Sequence, residues 1–157
     1  MRRLILLICL LALPFPLAAT AAGATTQAFH ATFHDVVFQN SCSPPIVFCG
    51  SGVVGGYGKA TTVVRVTSIV PIPGSTCMAV AGTRTIVLED GTGALVLGFS
   101  GARCPLGEGG HAFRIQFDYT ITVGSGVFAG ATGTGSGVNT TAGNVQVASL
   151  SGTITLP

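Results

Sequence analysis

Charge is what this chain has least of: only 8% of its 157 residues are charged. The formal net charge of +2 traces to Arg2 and Arg3 at the extreme N-terminus. Beyond residue 24, Lys59, Arg65, Arg84, Arg103 and Arg114 balance Asp35, Glu89, Asp90, Glu108 and Asp118. A neutral chain with scattered cations lacks the electrostatic footprint of a nucleic-acid binder or of a protein that docks on anionic membranes.

Other absences remove further classes. There is no C-x₂-C pair for zinc, no G-x-S-x-G elbow for a nucleophilic serine, and no G-K-[ST] ending for a P-loop. The longest apolar run, Leu4 to Leu13, stops at Pro14, and a membrane-spanning helix needs about 20 residues. No segment combines good helix formers with a 3.6-residue period over three turns. No cofactor is expected. A shared metal between His30 and His34 fails on a strand, where four residues span about 13 Å and zinc–nitrogen bonds are about 2 Å long.

What stands at the start is a secretory leader: Arg2 and Arg3, the apolar run, then the small-residue sites Ala19-Thr20-Ala21 and Ala22-Gly23-Ala24. Residues 1–24 are read as a signal peptide cleaved after Ala21 or Ala24. Cys9 is discarded with it. Residues 25–157 form one domain, with no membrane span and a secreted or periplasmic destination. Cys42, Cys49, Cys77 and Cys104 remain, and an even count in an exported chain reads as two disulfides. Of the three connectivities, Cys42–Cys49 with Cys77–Cys104 is favoured, because Pro44 and Pro45 already bend the first loop.

The clearest pattern is HAFRIQFDYTITV, residues 111–123. His111, Phe113, Ile115, Phe117, Tyr119, Ile121 and Val123 share one parity; Arg114, Gln116 and Asp118 share the other. That alternation predicts a half-buried strand with its aromatic side chains inward. Residues 59–70, 78–89, 94–100 and 144–156 repeat the strand signature, with Asp90-Gly91 as a hairpin turn. In residues 28–40 Phe29, Phe33, Val36 and Val37 also fit a helical period, but aromatic and β-branched content favours strand. The fold class is all-β: a single antiparallel barrel of about eight strands, with a β-sandwich as the alternative.

Two glycine-rich stretches interrupt this pattern, GSGVVG at 50–55 and GSGVFAGATGTGSGV at 124–138. The first matches G-x-G-x-x-G, but a strand-like segment follows where a phosphate-holding helix should begin. Both are read as the turns and bends of a tightly coiled sheet.

Residues 121–138, ITVGSGVFAGATGTGSGV, resemble the glycine-rich signature of the allene oxide cyclase/dirigent β-barrel superfamily. The pattern G-[ST]-G-x-F-x-G-A-x-G falls on Gly124, Ser125, Gly126, Phe128, Gly130, Ala131 and Gly133. The match covers fifteen to thirty residues in the last third of the chain. It implies an eight-stranded antiparallel barrel with an interior cavity, Phe128 plugging its wall or floor beside a glycine-shaped corner. The family's catalytic acids and arginines lie outside this motif, so no catalytic residue carries over.

Asp35 alternates with Phe33 and Val37, and is the one carboxylate the pattern turns inward as a candidate acid–base group. Phe113, Phe117 and Tyr119, with His111, are the candidate lining of a small apolar ligand site. Three roles stay open, in this order: a binder of a small apolar molecule, an extracellular structural or surface-interaction module with a filled core, and an isomerase or cyclase of the resembling family's kind. The oligomeric state is not legible.

Overall fold

The computed structural model describes residues 23–37, 42, 46–107 and 112–157. The leader segment lies almost wholly outside these residues, as do Glu108 and His111. Eight strands follow in chain order: β1 (Thr25–Val37), β2 (Ile46–Val54), β3 (Gly58–Pro71), β4 (Met78–Leu88), β5 (Gly93–Pro105), β6 (Ala112–Gly126), β7 (Thr134–Ala142) and β8 (Val145–Leu156). Each pairs antiparallel with the next, and β8 closes onto β1 from Thr25↔Leu156 to Val36↔Val145. The result is a closed barrel rather than a sandwich. Its strands have no free edge, so pairing with another chain through an edge is blocked.

Period-two alternation sorts the side chains. Phe29, Phe33, Leu95, Leu97, Leu150 and Ile154 point into a continuous core, each such side chain contributing about 1.5–3 kcal/mol by leaving water. Lys59, Arg65, Arg114 and Asp118 face outward and are exposed, where a lipid-facing barrel would carry an apolar band. Among the described residues no helix is long and apolar enough to cross a membrane.

Three register shifts interrupt the ladders among the described residues, one in β2 between Ile46 and Phe48 and two that reset the alternation of β6 and β3. In β6 the pairing steps from Val96↔Val123 to Leu97↔Ile121, leaving Thr122 as the extra residue. Its hydroxyl bonds Val96 O at 3.0 Å. Inward parity therefore passes from Ile121 to Gly124, and Val123 ends 56% exposed instead of continuing the aromatic face. In β3 Thr67 is extra between Val66 and Ser68.

In the 50–55 stretch residues 50–54 lie within β2 and Gly55 opens the turn to β3. Gly50 and Gly52 lie within β2 and face β1, where a Cβ on Gly52 would meet the Phe33 ring at 2.8 Å. The second glycine stretch also makes a turn. Gly126, at φ +61°, ends β6 where any Cβ would strike the Thr92 carbonyl. The chain then folds Phe128 inward. That ring is fully buried, and packs against Tyr57 with centroids 4.6 Å apart. This end of the barrel is therefore sealed.

The opposite end receives the β1–β2, β3–β4, β5–β6 and β7–β8 connections. Both disulfides, Cys42–Cys49 and Cys77–Cys104, sit there. The second ties the residue before β4 to the end of β5, and the pairing is the one favoured from sequence. Disulfides of this kind persist in an oxidising environment.

Candidate functional site

Two features interrupt the packed apolar interior. The first is a buried cluster of side chains from β1, β3, β4, β7 and β8. Arg84 donates through Nη2 to Asp35 Oδ2 at 2.9 Å and through Nη1 to Thr62 Oγ1 at 3.1 Å. Gln146 Nε2 donates to the same Asp35 oxygen at 2.9 Å, and Thr141 Oγ1 donates to Gln146 Oε1 at 3.2 Å. The guanidinium also stands 5.2 Å over the Phe33 ring. Burial pushes the Arg84 pKa below its ordinary value, and the Asp35 charge and hydrogen bond pull it back up. Asp35 Oδ1 has no hydrogen-bond partner among the described residues.

Asp35 does point inward, as its alternation predicts, but it is committed to Arg84 and Gln146 and no solvent reaches it. In this arrangement it is a counter-ion. A free acid–base group needs access to a substrate proton.

The second feature is an apolar cavity of about 270 Å³ near the disulfide-bearing end. Phe48, Phe99 and Phe113 form its aromatic walls, and Val64, Val66, Ile69, Val80 and Ile115 its aliphatic ones. The Thr67 bulge lets Val66 and Ile69, three apart in β3, both line it. Two polar side chains reach the space. Asn139 of β7 is 5% exposed, and its Oδ1 has no hydrogen-bond partner among the described residues. Arg103 of β5 sits over Phe113, its guanidinium carbon 3.7 Å from the ring centre. Arg103 pairs with Ile115 and Ile115 with Asn139, so the two polar residues flank one apolar residue across adjacent strands.

Of the lining assigned from sequence, Phe113 reaches this cavity. Phe117 and Tyr119 are buried deeper, against Phe99 at 5.4 Å and Phe29 at 6.3 Å. The aromatic stripe of β6 runs along the barrel, and its first ring meets the cavity while the next two fill the core. His111 lies outside the described residues. Gly124, Gly126, Phe128, Gly130 and Gly133 gather at the sealed end, with Gly130 at φ +71°. His30 and His34 are exposed on the outer wall, and no group of metal-ligating residues occurs among the described residues.

Arg84, Gln146 and Asn139 were not singled out from sequence. Arg84 shares parity with Val80, Ile86 and Leu88, and Gln146 with Ala148 and Leu150, so strand parity alone would have turned them inward. Asn139 alternates with Gly137 and Thr141, which carry no apolar signal. Compared with known proteins, the chain matches no family model, no curated protein and no solved structure.

Proposed function

We propose that the protein is exported and binds a small, largely apolar molecule in the cavity at the disulfide-bearing end of its barrel. The observation that carries this reading is Asn139. A buried carboxamide oxygen with no partner among the described residues costs about 1–3 kcal/mol, and the side chain that carries it lines an apolar space walled by three phenylalanines. Apolar walls with a few convergent polar groups are the usual make-up of a small-molecule site. The leader-like residues 1–24 and the two disulfides support export.

The glycine pattern of residues 121–138 and the strand count support kinship with the allene oxide cyclase/dirigent barrels. Catalysis of their kind is the weaker reading, because Asp35 is held by Arg84 and Gln146 away from solvent. The remaining role, a structural module, is favoured where Phe128 and Tyr57 seal a filled core.

The test is native mass spectrometry of the protein secreted by an oxidising host, alone and with added naphthalene. The reading predicts a co-purifying or added adduct on the wild type, lost in Val66→Phe, which fills the cavity. A wild type that stays bare under both conditions overturns it.

A further inference from the structure

Resting on that reading, we propose that the cavity selects a compact apolar carboxylate bearing a hydroxyl group at its buried end. About 270 Å³ equals the volume of about nine water molecules at the ~30 Å³ each occupies in the liquid. The space thus suits a compact ligand of that order of size.

Arg103 supplies the charge preference. It is half-buried and forms no ion pair or side-chain hydrogen bond among the described residues. Contact with Phe113 holds the guanidinium at the cavity, its N–H groups make no hydrogen bond among the described residues, and a guanidinium matches a carboxylate bidentately. Among the described cavity residues Arg103 is the one charged group, so nothing there repels an anion.

Asn139 supplies the second preference. Its side chain makes no hydrogen bond among the described residues. A carboxamide offers one acceptor and two donors, and a hydroxyl both gives and takes a hydrogen bond. A ligand lacking that hydroxyl leaves the buried carboxamide unmatched, which is the strongest form of discrimination such a site achieves. The ring walls Phe48 and Phe99 accept an aromatic body between the two polar ends.

The experiment is calorimetric titration of the disulfide-intact protein with 4-hydroxyphenylacetate, phenylacetate, 2-(4-hydroxyphenyl)ethanol and naphthalene. The wild type should bind 4-hydroxyphenylacetate roughly tenfold or more tighter than either compound lacking one polar group. Asn139→Leu should erase the preference over phenylacetate and keep the preference over the alcohol; Arg103→Met should do the reverse. Asn139→Ser, smaller and still polar, stands in if the leucine variant does not fold. Equal binding of the three polar probes overturns the proposal, as does a variant that loses both preferences or neither. Binding of naphthalene alone overturns the selectivity and leaves the cavity reading intact. Binding of none overturns both.

Discussion

Arg84 and Asp35 meet at 2.9 Å inside the barrel, with 2% and 0% of their side chains exposed. Two charges at that depth hold each other in place; either alone is an uncompensated buried ion. Asp35→Ala should therefore destabilise the protein by about 3–5 kcal/mol, and the double variant Asp35→Leu, Arg84→Met should recover most of the loss. Urea unfolding of the three proteins measures both effects.

The core's large rings are accommodated by glycines on facing strands. A Cβ placed on Gly137 would fall within 2.9 Å of three atoms of the Phe117 ring. Gly137→Ala should therefore cost about 1–3 kcal/mol through overpacking. Adding Phe117→Leu should return part of it, a coupling that a double-mutant cycle reads directly.

Tyr119 gives the barrel an alkaline limit. Burial raises its pKa from the ordinary value to about 12. Between the unfolded value of about 10 and the folded value, the unfolded chain has already lost this proton while the folded chain keeps it. Stability must then fall as pH rises through that window. Absorbance at 295 nm should show one tyrosine ionising near pH 12 together with unfolding. Tyr119→Phe should keep the fold and remove this contribution, and deleting a hydroxyl that has no partner should leave stability at pH 7 unchanged or higher.

The disulfides differ in the loops they close. Cys77–Cys104 spans 27 residues and Cys42–Cys49 spans 7, so the chain-entropy model assigns them about 3.5 and about 2.4 kcal/mol. Replacing Cys77 and Cys104 by alanine should lower the melting temperature more than replacing Cys42 and Cys49. Because Cys104 adjoins Arg103, the first pair should also weaken binding at the cavity.

How far the sequence reaches is visible in particular strands. The alternation around Phe117 and Tyr119 reads plainly because apolar and polar side chains differ at every step. Strands β2 and β7 did not read as strands. Their inward positions include Gly50, Gly52 and Gly137, whose missing side chains make room for Phe33 and Phe117 and so erase the hydrophobic signal. Asp35 was legible as an inward acid, but its partner Arg84 lies 49 residues away, and only barrel closure brings them together. The cavity was legible least. It depends on where the aromatic stripe stops being packed and on the bulge at Thr67, and both are properties of register rather than composition.

If the proposed binding is right, the cavity and no other surface takes a small apolar molecule. Methyl-resolved NMR titration of the disulfide-intact protein with naphthalene distinguishes the two. Binding in the cavity gives saturable shifts at the methyls of Val64, Val66, Ile69, Val80 and Ile115, with Leu95 and Ile154 near the sealed end unmoved. Shifts confined to the exposed Val53, Val87 and Val123, or no shifts at all, would contradict it.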